Sequence, residues 1–419
     1  MRTSGRIRLD WPLVATAIVL STYGIAIVYS AGQTDVPTVV AHLYRQQIAW
    51  FVLGLCGAYL VSRASVRLLE WATLPAYVAT TAVLLLLLFV GKGSGTAASS
   101  RSWLAMGGVR LGQPSELAKI TVVMMLAKVL AANRQAPKSL VELWKPALVV
   151  GIPWVLIMLQ PDLGTGIVFV GIFFTMLFWA GVSWELLVLV ASPVISLVLA
   201  FSTSLWGAWF LLLLALVIWY KPYVWESVFL VGANVVSGGI APLLWAHLQP
   251  YRQARLRVFL DPSSDPLRTG YHVIQSQVAI GSGGWFGKGF TMGTQKRLAF
   301  LPEQHTDFIF AVVGEELGFV GVTIALALFA FLFYRVVRVA ARASDSYGSL
   351  VAFGLLGLWL THVVENVGMT LGLTPVTGIP LPFFSYGGSF MFSCWLAVGV
   401  LARISSEGRG GGGEAQIAL

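Results

Sequence analysis

The sequence predicts an all-α polytopic membrane protein of about twelve transmembrane helices, with one large loop outside the membrane. Three observations carry that prediction. Only 11% of the residues are charged and 57% are hydrophobic, where a soluble domain carries roughly 25% charged residues. Apolar runs such as Leu13 to Tyr29, Ala79 to Val90 with its flanks, and Gly321 to Phe333 with its flanks recur at span length, about 20 residues for a helix crossing the hydrocarbon core. The basic residues sort by side when those runs are threaded through a bilayer.

Taken in chain order, the spans fall near 11–30, 46–62, 71–91, 115–132, 145–159, 163–182, 184–202, 205–220, 225–243, 307–334, 347–371 and 383–404. The first apolar run is too long for a signal peptide and lacks a small-residue cleavage site, so it is read as the first span. Arg2, Arg6 and Arg8 precede it, and Arg63 and Arg67 follow the second span. Arg134, Lys138, Lys145, Lys221, Arg335, Arg338, Arg342, Arg403 and Arg409 fall on the same side. An excess of Lys and Arg marks the cytoplasmic side, which places both termini there. The chain then divides into a membrane domain, 1–404, and a glycine-rich cytoplasmic tail, 405–419, read as flexible. Cys56 and Cys394 both lie inside apolar runs and read as buried small hydrophobes, not a disulfide.

The opposite side is also basic. Arg45, Lys92, Arg101 and Arg110 lie there, and Arg252, Arg255, Arg257, Arg268, Lys288, Lys296 and Arg297 share one loop, 244–306. Long loops can be translocated whatever their charge. The sharper reading is that an anionic group, most naturally phosphate, is handled at that surface. In a chain of this hydrophobicity the basic balance, net +9, is read as facing membrane lipids, not nucleic acid.

Ionisable residues inside spans are costly and mark function by default. Glu116 and Lys119, Asp162, the pair Glu315–Glu316, and Glu365 qualify, whereas Lys128 lies near a cytoplasmic end and can snorkel. Glu116 and Lys119 are three apart and share a helix face, as a structural ion pair would also require. All fall in the outer half of the bilayer under this topology, which suggests a shared polar cavity opening outward. Asp162 sits in Gln160-Pro161-Asp162-Leu163-Gly164, a turn or broken helix, where a helix N-cap is the plainer role. A second irregular stretch, Thr374 to Pro382, holds three prolines and leads into Ser385-Tyr386-Gly387-Gly388-Ser389.

The loop carries two Asp-Pro steps, at Asp261 and Asp265, and then Ile280-Gly281-Ser282-Gly283-Gly284-Trp285-Phe286-Gly287-Lys288-Gly289. Its glycines allow close backbone approach to a ligand, but the run matches neither a P-loop nor a dinucleotide fingerprint. Glu303, His305 and Asp307 follow at a spacing that fits no common zinc pattern.

The stretch from Asp261 to Gly321 resembles the signature of the SEDS family (shape, elongation, division and sporulation proteins), which polymerise bacterial cell-wall glycan. Further matches are Arg101-Ser102-Trp103-Leu104, Gln113-Pro114-Ser115-Glu116-Leu117-Ala118-Lys119, Gln160 to Gly164, and Pro380 to Ser389. Gly293-Thr294-Gln295 with Leu298-Ala299-Phe300-Leu301-Pro302-Glu303 is similar to elongation members rather than division members. Family members usually have ten spans, so the stretch from Ser183 to about Tyr223 adds a pair.

The resemblance implies a multi-pass protein of the bacterial inner membrane. It implies an inverting glycosyltransferase acting on lipid II, a disaccharide-pentapeptide on a polyprenyl diphosphate, with a class B penicillin-binding protein as partner. The family's essential aspartate matches Asp265, which becomes the general base. Glu116, Lys119 and Asp162 would organise the cavity or a divalent cation, Mg or Mn. Arg45, Arg101 and Arg110 would contact diphosphate, and Trp103 would line the lipid or sugar path or anchor at the interface. Lys288 and His305 are further cavity residues, His305 as a structural hydrogen bonder. The alternative function is a transporter that flips the same precursor, since intramembrane charges and broken helices suit that role too.

Overall fold

The computed structural model describes residues 9–35, 39–91, 93, 102–106, 109–133, 135–247, 253, 270–298, 300–301 and 303–408. Each expected span is a helix there: α1 Trp11–Ala31, α2 Leu43–Arg63, α3 Val66–Val90, α4 Ser115–Ala131, α5 Trp144–Leu159, α6 Leu163–Trp179, α7 Trp184–Leu199, α8 Thr203–Tyr220 and α9 Val224–His247. After the loop, the short helices α10 Tyr271–Ser282 and α11 Thr294–Arg297 precede α12 Ile309–Ala341, α13 Ser346–Leu371 and α14 Gly388–Gly408. Eight helices are long and apolar enough to cross a membrane by length and composition. The shorter apolar α6 and α7 and the more polar α2 and α4 bring the bundle to about twelve among the described residues. The apparent extra pair is therefore present as α7 and α8.

Local chemistry sets the ends. Asp10, Ser65, Asp162, Ser183, Ser202 and Asp345 each cap a helix by accepting the amide three residues on, which satisfies a donor the helix itself leaves orphaned. Asp10 also pairs with Arg335 of α12 at 2.6 Å, fastening the first helix to a late one. Pro380 and Pro382 delay α14, so it starts at Gly388 rather than near 383, and it runs on to Gly408, past the expected tail boundary at 405.

Burial separates centre from rim. α13 and α14 have 78% and 72% of their most apolar windows buried, against 17% for α3 and 11% for α8, so the former two are the hub and the latter face lipid. Close approach comes from small residues at the crossings. Gly171 of α6 lies against Thr361 of α13, and Gly357 of α13 lies against Thr175 of α6, so any side chain at either glycine would overlap a threonine. Cys394 is buried, but Cys56 is exposed on the rim of α2, contrary to the expectation that both are internal.

α7, α8 and α9 form a satellite with its own small core of Leu189, Leu213, Val217 and Leu230. Asn234 of α9 ties it together, donating to Ser192 Oγ at 2.8 Å and accepting from Ser196 Oγ at 2.6 Å.

Two features depart from an all-helical bundle with a plain loop. Leu104–Met106 and Val109–Gly112 form an antiparallel hairpin, β1–β2, leading directly into α4. α12 is broken at Gly318, whose φ of 62° and ψ of −159° are not helical. The glycine-rich turn fills that break. The amides of Lys288 and Gly289 donate to the carbonyls of Glu315 and Glu316 at 3.0 Å, and those of Phe319 and Val320 donate to Gly284 and Trp285 at 2.8 and 3.1 Å. Gly283 and Gly287 approach α12 closely, and the turn satisfies groups the break sets free.

Candidate functional site

The charged residues of α4 point into the hub. Lys119 Nζ lies 2.8 Å from Glu116 Oε2, and both side chains are nearly inaccessible. The same ammonium is 2.9 Å from His362 Nε2 of α13 and faces the Phe390 ring of α14 at 5.3 Å. His362 stacks on Phe390 with centroids 4.8 Å apart, and its Nδ1 lies 2.9 Å from the Pro380 carbonyl. One helical turn of α4 thereby joins α13, α14 and the irregular stretch before α14. A buried charge is tolerated only when so paired.

Asp162 is brought to the same region. Its Oδ1 accepts the Thr165 amide at 3.0 Å, the N-cap role, while Oδ2 accepts Thr165 Oγ1 at 2.9 Å and Gln113 Nε2 at 3.0 Å. The Gln113 amide donates to Ser389 Oγ at 3.2 Å. Gln113, at the exit of the hairpin, thus links α6 to the start of α14.

The stretch before α14 is held on both sides. Asn366 Nδ2 donates to the carbonyls of Ile379 and Asp307, at 2.7 and 2.8 Å. Thr377 Oγ1 donates to Glu365 Oε1 at 3.0 Å. Ser385 Oγ donates to the Thr306 carbonyl at 2.6 Å, and the Ser385 carbonyl accepts from Gln47 of α2 at 2.9 Å. His305 sits beside Tyr386, whose amide donates to the His305 carbonyl at 2.9 Å. Burial pushes the His305 imidazole below its ordinary range, with Glu303 opposing, which favours a neutral hydrogen bonder.

Glu315 and Glu316 do not join this cluster, so the single shared cavity expected from sequence resolves into two centres. Lys288 pairs with Glu315 at 2.8 Å, and Lys296 pairs with Glu316 at 2.6 Å with neither of the latter side chains exposed. Lys296 also donates to the carbonyl and hydroxyl of Ser30 on α1, both at 2.6 Å. Burial lowers the Lys296 ammonium's affinity for its proton, and Glu316 counters that. This second centre clamps the loop 283–306 onto α1 and α12.

Arg45 is exposed on the first turn of α2, its Nε 3.1 Å from Tyr44 Oη, and Trp103 is half-buried just before β1. Asp265 and Arg101, like Asp261, lie outside the described residues, and so does the Arg110 side chain. Among the described residues no three His, Cys, Asp or Glu groups converge. Glu116 is committed to Lys119, and Asp162 to Gln113 and Thr165. Among the described residues these donors do not by themselves make a divalent-cation site. Sequence reasoning missed His362, though an imidazole in the middle of a span is as much a signal as a carboxylate.

A bundle of apolar helices with buried, partnered charges inside it defines a multi-pass membrane protein. The family model for the cell cycle proteins FtsW, RodA and SpoVE matches residues 10–209 and 202–410, two segments that meet within α8. The chain is 34% identical to the peptidoglycan glycosyltransferase RodA of Treponema pallidum, over 97% of this chain and 100% of that one. It is 35% identical to the peptidoglycan glycosyltransferase MrdB of Escherichia coli K12, over 96% and 95%. Its fold is similar to a chain in a peptidoglycan synthase complex that coordinates polymerization and crosslinking, with a TM-score of 0.71, 28% identity, and 96% and 98% of the two chains covered. It is also similar to the rod shape determining protein RodA of Thermus thermophilus, with a TM-score of 0.62, 27% identity, and 95% and 97% covered. The chain belongs to the SEDS family, the RodA, FtsW and SpoVE proteins.

Proposed function

We infer that this protein is a peptidoglycan glycosyltransferase that polymerises lipid II into glycan strands during cell elongation. The observation that carries this reading is end-to-end similarity, at 34% and 35% identity, to RodA and MrdB, both peptidoglycan glycosyltransferases. The Glu116–Lys119 pair of α4, with Asp162 at the start of α6 and His362 of α13, supports it. With both termini cytoplasmic, as the basic residues argue, the loop end of the bundle faces outward, where lipid-linked precursor and growing glycan meet.

In this reading Asp265 takes the proton from the acceptor sugar hydroxyl as its oxygen bonds to the anomeric carbon of the donor. The bond from that carbon to the lipid diphosphate breaks on the opposite face, and the diphosphate leaves with the bonding pair. One base suffices and the anomeric configuration inverts. Arg45, exposed at the start of α2, stabilises the departing diphosphate together with Arg101 and Arg110. Glu116, Lys119 and Asp162 hold the floor of the site through hydrogen bonds. Lys288 and His305 position the loop. No step is routed through a metal. A class B penicillin-binding protein as partner is supported by the synthase complex whose membrane chain this one matches.

The test is gel analysis of products from labelled lipid II, using purified protein with its penicillin-binding partner, wild type beside Asp265→Ala. Glycan ladders from wild type and none from the folded variant are expected. Equal ladders move the base to another carboxylate, and lipid II crossing liposome leaflets without any ladder replaces the polymerase with a transporter.

A further inference from the structure

His362 is fully enclosed between α4, α14 and the Pro380 stretch, and its two ring nitrogens meet different chemistry. Nδ1 faces a backbone carbonyl, which only accepts. It must therefore carry a hydrogen. Nε2 faces the Lys119 ammonium, which only donates, so Nε2 must present its lone pair. Both conditions hold in one state alone, the neutral Nδ1–H tautomer. The ring joins a charge pair in α4 to the backbone that leads to Ser385 and Ser389.

The neighbouring rungs do not make that connection. Asn366 and Glu365, on the next turn of α13, hold Ile379 and Thr377 of the same stretch, but neither reaches α4 by a hydrogen bond. Among the described residues, Lys119 has Glu116, His362 and the Phe390 face as its surroundings. Its ammonium is turned to these three groups. Lys119 therefore acts through what it holds in place.

We propose that His362, as its Nδ1–H tautomer, is a positioning residue for glycan transfer, coupling the Glu116–Lys119 pair to the Pro380–Ser389 stretch so that the two move as one unit. The proposal rests on the glycosyltransferase reading above. Removing the link leaves lipid II binding in place and lowers turnover, because it disturbs how the floor of the site is set and not what grips the substrate.

The experiment measures lipid II polymerisation by purified protein with its penicillin-binding partner for wild type, His362→Phe, Lys119→Met and the double variant, after each is shown to be monodisperse. Phe keeps the stack on Phe390 and removes both hydrogen bonds. Its turnover should fall about 10- to 100-fold, the worth of hydrogen bonds to a charged group, while KM stays within about twofold. In the Lys119→Met background the same substitution should cost less than about threefold, because the unit is already broken. Undiminished turnover in His362→Phe, or losses that multiply in the double variant, overturns the proposal. If His362→Phe does not fold, His362→Gln and His362→Asn decide. Gln places an acceptor where Nε2 stood and should retain more turnover than Asn, which reaches only the Pro380 carbonyl; the reverse order overturns the coupling. A wild type that makes no glycan refutes the glycosyltransferase reading itself, separately from these comparisons.

Discussion

The Lys296–Glu316–Ser30 centre gives the sharpest stability test. Lys296→Met keeps the length and apolar stem of the side chain but removes the ammonium. Glu316 then remains buried with the Ser30 hydroxyl, 2.5 Å from Oε2, and the distant Gly293 amide, 3.3 Å from Oε1. Removing one partner of a buried ion pair costs about 3–5 kcal/mol, because the remaining charge is left uncompensated. With an unfolding entropy of about 2.1 cal/mol/K per residue, spread over 419 residues, that loss lowers the melting temperature by about 3–6 °C. Intrinsic tryptophan fluorescence during a thermal ramp in detergent reads the shift. Adding Glu316→Gln removes the stranded charge, so the double variant should recover part of the loss. The reasoning is refuted if Lys296→Met melts with wild type, or if the double variant melts below both singles.

The turn that fills the break in α12 predicts a contrast between two glycines. Gly287 has φ of 76° and abuts the Glu316 carbonyl, whereas Gly281 has open space where a side chain would go. Gly287→Ala should cost at least about 1–3 kcal/mol and Gly281→Ala almost nothing, read by the same thermal ramp. His305 predicts a pH dependence: because its folded value is depressed, the unfolded chain takes up a proton below about pH 6.5 that the folded chain refuses. Stability should therefore fall as pH drops from about 6.5 towards the folded value, and His305→Gln should flatten that slope in melts taken from pH 7.5 to about 5.5. In the satellite, Asn234→Leu strips Ser192 and Ser196 of their shared partner and should cost about 1–2 kcal/mol. Hydrogen exchange should quicken in α7 and α9 but not in α13; uniform protection would mean that the satellite is not a separate unit.

Every membrane span was legible because apolar length is a coarse signal that no tertiary context overrides. The α7–α8 pair was readable for the same reason. Glu116, Lys119 and Asp162 were legible as groups that should not be in a bilayer, and each has partners on other segments: Lys119 meets His362, and Asp162 accepts from Gln113. What escaped depends on contacts between distant segments. The break at Gly318 lies in an otherwise regular apolar run, and only the turn at 284–289 packed against it makes it visible. The β1–β2 hairpin is too short for an alternating pattern to register. The separation of Glu315 and Glu316 from Glu116 could not be read from depth alone, since depth says nothing about which side of the bundle a residue faces. His362 pairs with Lys119 from 243 residues away, a distance over which no local pattern operates.

The break in α12 has a consequence for biogenesis. The residues that close it precede it in the chain, so the ribosome releases the turn at 283–289 before the helix that needs it. When Glu315 and Glu316 enter the membrane, Ser30 is already in place on α1, and Lys288 and Lys296 have already been made. Acidic side chains and loose carbonyls that no lipid can satisfy thus meet ready partners on arrival, and α12 need not wait for any later part of the protein to become a permissible guest in the bilayer.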